Sequence, residues 1–140
     1  MRESRSFVAT LQMAVMNANE RESLIHKVIG AVYEVSNVLG AGFLEKVYER
    51  ALFKELHHVG LNVQTQASFP VTYKGDRVGD YFADLLVEEY LVVEIKCVEQ
   101  FSSQHLAQCL NYLKASGKQV ALLINFQRPK VEFKRVVLGL

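Results

Sequence analysis

The sequence predicts an α/β fold built as one domain. Three observations carry that reading. Apolar stripes of helical period alternate along the chain with short runs rich in β-branched and aromatic residues. Residues 119–125 contain the run VALLIN, as expected of a strand covered on both faces. The 140 residues hold no repeat, low-complexity tract or linker, and their number suits one domain with a real core.

The elements follow in order. Residues 19–39 read as a helix, with Leu24, Ile25, Val28, Val32, Val35 and Leu39 as its buried stripe. Asn19 and Glu22 have the spacing of a capping box. Gly40-Ala41-Gly42 breaks this helix. A second helix is expected over 43–58, with Val47, Ala51, Leu52 and Leu56 inside and Gly60 as its stop. Strands are expected over 61–66, 69–73, 77–87 and 91–98, with Lys74-Gly75-Asp76 as a hairpin turn. Pro70 points to a strand that lies at a sheet edge or begins there, because proline has no N–H for an inner ladder. Ser102 or Ser103 caps a helix reaching about residue 115, with Leu106, Cys109, Leu110 and Leu113 inward and Gly117 after it. The apolar strand follows, and residues 131–138 add an edge strand. Residues 1–18 form a leader outside the core, disordered or helical, and residues 19–140 form the domain.

Composition excludes several classes. Half of the residues are hydrophobic and 22% are charged, so the chain is globular. A net charge of +1 gives no whole-chain attraction to nucleic acid or membrane, so such binding needs a local patch. No run reaches the ~18–20 apolar residues of a membrane span. Arg2 and Arg5 before FVATLQMAVM imitate a secretory signal only loosely, since Gln12 interrupts the apolar stretch. Cys97 and Cys109 are too few for a disulfide framework or a four-cysteine metal site. They read as core thiols of a cytoplasmic protein.

Chemistry concentrates in DLLVEEYLVVEIK, from Asp84 to Lys96. Asp84, Glu94 and Lys96 stand in an apolar, strand-forming passage, where charged groups need a partner or a metal. Opposed residues of an antiparallel pair share a face, and their numbers keep a constant sum. Asp84 faces Glu94 only if Val87 faces Leu91, which leaves a three-residue loop, Glu88-Glu89-Tyr90. Such loops favour Gly at a left-handed position, and none is present. If the acids meet, they offer hard oxygen ligands of the kind Mg²⁺ or Mn²⁺ accepts. The alternative is an ion pair of Lys96 with Asp84 or Glu94 that only satisfies itself.

Asp84 followed by Glu94-Ile95-Lys96 resembles the D…(D/E)xK signature of the PD-(D/E)xK nuclease superfamily. The order of helix, three antiparallel strands, helix and strand is similar to its restriction-endonuclease-like core, here with an extra N-terminal helix. More narrowly, Gly42-Phe43-Leu44-Glu45-Lys46-Val47-Tyr48 resembles the defining motif of the GxxExxY protein family, a branch of that superfamily. YFADLLVE, VEIKCVE, AQCLNYLK and LLINF resemble that family's successive blocks, over about residues 25–138. The resemblance implies a metal site of Asp84, Glu94 and the Ile95 carbonyl, with Glu45 beside it and Lys96 orienting the water. It also implies that Gln108 and Tyr112, four apart on one helix face, support the site or contact substrate. His105 could join that face, and Tyr48 is expected to pack rather than react. Ala83 stands where the superfamily's name has proline, and Ser36 where GxxExxY relatives often have His.

The function implied is a Mg²⁺- or Mn²⁺-dependent nuclease that hydrolyses phosphodiester bonds of DNA or RNA with a metal-activated water. Two other readings stay open: a catalytically silent nucleic-acid-binding module, and an interaction protein such as a homodimer. The lysines and arginines from Lys46 to Arg135, Lys96 excepted, are the candidate phosphate contacts.

Overall fold

The computed structural model describes residues 16–139. Of the leader expected over 1–18, residues 1–15 lie outside the described residues, and Ala18 already belongs to the first helix. None of the described helices is long and apolar enough to cross a membrane.

Helix α1 spans Ala18–Leu39. Its N-cap is Asn17, whose side chain accepts from the Glu20 N–H at 2.9 Å. The cap therefore lies two residues before the expected Asn19, where Asn17 and Glu20 offer the same spacing. Gly40, at φ 69°, ends the helix and donates to the Ser36 carbonyl at 2.8 Å. Helix α2, Glu45–His58, starts later than expected. Its buried face is Tyr48, Glu49, Leu52 and Leu56, whereas Val47 is exposed. The predicted inner face was turned by one residue because a carboxylate occupies the stripe.

Strand β1 runs unbroken over Val63–Tyr73, where two strands were expected. A two-residue turn, Lys74-Gly75, leads to β2, Asp76–Val87. Both turn residues are left-handed, as this hairpin type requires. Strand β3, Leu91–Lys96, pairs antiparallel with β2. Helix α3, Ser103–Ser116, then crosses over to β4, Val120–Asn125, which lies parallel to β3. Strand β5, Glu132–Val137, closes the far edge antiparallel to β4. Sheet order is β1-β2-β3-β4-β5, so Pro70 does sit on an edge strand.

The sheet separates two cores. Leu24, Ile25, Val28 and Val32 of α1 and Leu52 and Leu56 of α2 pack on Leu85, Val93, Leu122 and Ile124. Cys109 and Leu113 of α3 pack on Leu86, Val92, Ala121 and Leu123. Every residue of β4 is buried, which explains its unbroken apolar run. The polar end of that strand, Asn125, has its own task. Its side chain donates to the Val98 carbonyl at 2.7 Å and accepts from the N–H groups of Val98 and Gln127 at 3.2 and 3.0 Å. This fastens the segment after Lys96 to β4. Replacing Asn125 by Ala should cost about 2–3 kcal/mol, since buried backbone groups lose their partners. A urea titration would show it as a lower midpoint with unchanged slope, and an unchanged midpoint would refute it.

Candidate active site

The β2–β3 ladder pairs Val87 with Leu91, Leu86 with Val92 and Leu85 with Val93. That register sets Asp84 opposite Glu94 and leaves the three-residue loop 88–90. The loop does without glycine. Its left-handed residues are Glu88 and Glu89, with φ of 52° and 53°. Bonds with Asn62 hold it: Glu88 N–H donates to the Asn62 carbonyl at 2.8 Å, and Asn62 N–H to the Glu88 carboxylate at 3.1 Å.

Beyond Leu85 and Val93 the backbone ladder stops and the acids take it over. Asp84 N–H donates to Glu94 Oε1 at 3.2 Å, and Ile95 N–H donates to Asp84 Oδ2 at 2.8 Å. Each carboxylate thus reaches across the gap to the other strand's backbone. Glu94 is only 2% exposed. Burial first, then the neighbouring Asp84 carboxylate, pushes its pKa up to about 9. Asp84 is raised too, chiefly by burial, with the Ile95 N–H opposing and the charges of Glu49 and Glu45 adding to the rise.

Lys96 is half-buried and forms no ion pair with either acid among the described residues. The self-satisfied salt bridge considered from the sequence is absent. The lysine's charge still favours the ionised form of both acids.

A cavity of about 200 Å³ opens beside Asp84, lined by Glu45, Lys46, Glu49, Gln66, Asp84 and Ile95. Glu45 enters it from the first turn of α2, and its Oε2 accepts from the Cys97 N–H at 3.3 Å. Glu49, one helical turn on, is 5% exposed and accepts from Lys46 Nζ and Gln66 Nε2, each at 2.6 Å. Sequence reasoning missed Glu49 and Gln66. The spacing of Glu45 and Glu49 was a usable signal; Gln66 offered none.

Helix α3 approaches from the other side of the sheet. Tyr112 is 7% exposed, stands edge-on to Tyr81 with centroids 5.3 Å apart, and receives a long 3.5 Å contact from Gln108 Nε2. Burial and then the charges of Glu94 and Asp84 raise its hydroxyl pKa, so this ring adjoins the acids from behind. Burial and Glu94 likewise push the Cys109 thiol up to about 12. Gln108 is exposed, and neither it nor Tyr112 lines the cavity. His105 serves its own helix: it completes a capping box with Ser102. Ala83 is fully buried against the α3 core, and Ser36 lies buried in α1, outside the cavity lining.

Among the described residues no three His, Cys, Asp or Glu side chains form a ready-made metal cage. The donors present are two crowded carboxylates, a neighbouring backbone carbonyl and a further glutamate at the cavity. Of these, Asp84 and Glu45 line the cavity and Glu94 is buried beside Asp84; Mg²⁺ keeps several waters and needs only one or two carboxylates, so these hard oxygens fit it. Several candidate phosphate contacts are already engaged: Lys46 with Glu49, Arg77 with Asp80, Arg128 with Glu132 and the Glu99 carbonyl, Arg135 with Glu22.

Known structures share this architecture. The chain is similar to the crystal structure of SSO0001, with TM-score 0.55 and 20% identity, over 85% of this chain and 60% of that one. It is also similar to an alkaline exonuclease (LHK-Exo) from Laribacter hongkongensis, with TM-score 0.51 and 12% identity, over 88% of this chain and 71% of that one. The chain therefore spans less than two thirds of the first of these proteins. No curated protein matches it by sequence. The model of the PD-(D/E)XK nuclease superfamily matches residues 22–136, taking in both core helices, the split between β2 and β3 and the return strand. With most of its length under that match, the chain belongs to the PD-(D/E)XK nuclease superfamily.

Proposed function

We propose that the protein is a metal-dependent nuclease of the GxxExxY branch, hydrolysing phosphodiester bonds of DNA or RNA. One observation carries most of this reading: Asp84 and Glu94 replace the backbone ladder with crossed carboxylate contacts next to a carboxylate-lined cavity. A purely structural hairpin would continue its ladder or bury apolar residues there, since holding two acids together raises both pKa values.

Asp84, Glu94 and the Ile95 carbonyl would hold Mg²⁺ or Mn²⁺, with Glu45 as a further oxygen donor. When bound, the ion supplies Lewis-acid stabilisation of charge on the phosphate. Lys96, unpaired with either acid, is free to orient the attacking water and to face developing negative charge. Glu45 also braces the end of β3 through the Cys97 N–H. Tyr112 would support the acid pair from the α3 side, and the exposed Gln108 would contact the nucleic-acid backbone.

A silent nucleic-acid-binding module is the competing reading. The net charge of +1 motivates it, whereas the engaged arginines weaken phosphate binding in either reading. Cleavage assays separate the two. Purified protein should cut at least one of single- or double-stranded DNA or RNA with Mg²⁺ or Mn²⁺, and EDTA should stop it. Lys96→Ala should slow cleavage by about a hundredfold or more, with an unchanged circular dichroism spectrum. Inert wild type on all four substrates with both ions, or a fully active Lys96→Ala, would sink the nuclease reading.

A further inference from the structure

One residue inside β1 adopts a backbone conformation that its type avoids, and it stands opposite Asp84. Gln66 has φ 50°, in the left-handed region where a Cβ crowds the backbone. The other non-glycine residues of this kind, Lys74, Glu88 and Glu89, occupy chain reversals, where such angles are usual. Gln66 lies within a strand. On either side the register holds, Thr65 with Leu85 and Ala67 with Ala83, and the ladder is interrupted at Gln66 and Asp84 between them.

Strain in a strand persists where its surroundings over-determine it. Here the surroundings are Glu49. That buried carboxylate accepts from Gln66 Nε2 at 2.6 Å and is itself held by Lys46.

The interruption changes which face the strands present. Val63 and Leu85 pack with the α1–α2 core, whereas Ala67 and Ala83 pack with the α3 core. Regular alternation would keep 63 with 67 and 83 with 85 on one face. Both strands therefore switch faces at Gln66 and Asp84. Alternation alone would place Asp84 with Leu86, against α3. The structure has it in the cavity with Glu45 and Glu49 of α2.

We propose that Gln66 is a positioning residue of the active site. Its left-handed backbone, anchored by Glu49, rotates the β1–β2 pair so that the Asp84 carboxylate reaches the α2 side. It acts through Asp84, and its effect on rate rests on the nuclease reading above.

Two substitutions test this. Gln66→Val introduces a β-branched side chain that resists the left-handed region and suits an exposed strand position. It should melt lower than wild type, because buried Glu49 loses one donor, and should lower kcat by about tenfold or more with little change in KM. The Ile95 amide, which donates to Asp84 Oδ2, should exchange with deuterium about tenfold faster or more. Gln66→Gly tolerates the left-handed backbone but loses the Glu49 anchor, so its Ile95 amide should exchange at a rate between those of wild type and Gln66→Val. A Gln66→Val protein whose Ile95 amide stays protected as in wild type overturns the proposal, as does one with undiminished kcat. If wild type cleaves nothing, the nuclease reading falls, and Ile95 exchange still decides the role of Gln66.

Discussion

Glu94→Gln should abolish cleavage, by roughly a thousandfold or more, and make the metal-free protein more stable at alkaline pH. The two effects have one origin. Glu94 is buried beside Asp84, with Glu49 adding repulsion and Lys96 only partly opposing it, so its folded pKa is about 9 against 4.5 for the free side chain. Between those values the folded state keeps a proton that the unfolded chain has lost. Stability therefore falls as pH rises through this window, with a slope of at most about 1.4 kcal/mol per pH unit, and levels off above pH 9. Asp84, also raised, bends stability the same way. Glutamine keeps an oxygen for the Asp84 N–H and has nothing to titrate. In EDTA the wild-type melting temperature should fall from pH 5 to 9, and that of Glu94→Gln should fall much less. Mg²⁺ should flatten the wild-type curve by holding the carboxylates ionised. Parallel curves for the two proteins would refute this account of the buried acid.

The largest loss of stability is expected from Tyr48→Ala, about 3–5 kcal/mol. Tyr48 is fully buried and stacks on Phe126, with centroids 4.6 Å apart and planes 4° from parallel. Its hydroxyl donates to the Gly40 carbonyl at 2.6 Å and accepts from the Phe43 N–H at 3.2 Å, pinning the loop between α1 and α2. Tyr48→Phe keeps the ring and loses only these bonds, for about 1–3 kcal/mol. Denaturant titrations of the two variants separate ring from hydroxyl, and equal losses would contradict the division. Both variants should also impair cleavage, because Glu45 begins the helix that this loop delivers.

Much of this architecture could be read before any coordinates, where periodicity and arithmetic suffice. The stripe of α1 and the apolar run of β4 declare themselves because their residues all face core. The pairing of Asp84 with Glu94 follows from number sums alone, and its one apparent obstacle, the missing glycine, dissolves in the bonds from Asn62. The inner face of α2 was misjudged because Glu49 sits in it, and a buried carboxylate looks like a surface residue until its lysine and glutamine partners are in place. The break expected between two strands near residue 67 is absent, because β1 runs through it as one strand. Nothing local to Gln66 announces its left-handed backbone, since the side chain that holds it is a glutamate 17 residues earlier.

The crossed contacts of Asp84 and Glu94 also bear on the order of assembly. The two acids lie ten residues apart across a single short loop, so bringing them together closes little chain. The cavity wall is another matter: Glu45 reaches the end of β3 across 52 residues, and β3 gains its parallel neighbour only after α3 has crossed over. Every residue lining the cavity precedes Lys96, so a growing polypeptide holds the acid pair and the cavity lining together before α3 and β4 emerge. What comes last is the support: β3 is fixed against its parallel neighbour only when the second half of the domain has formed, so the acids and their cavity meet early and become rigid late.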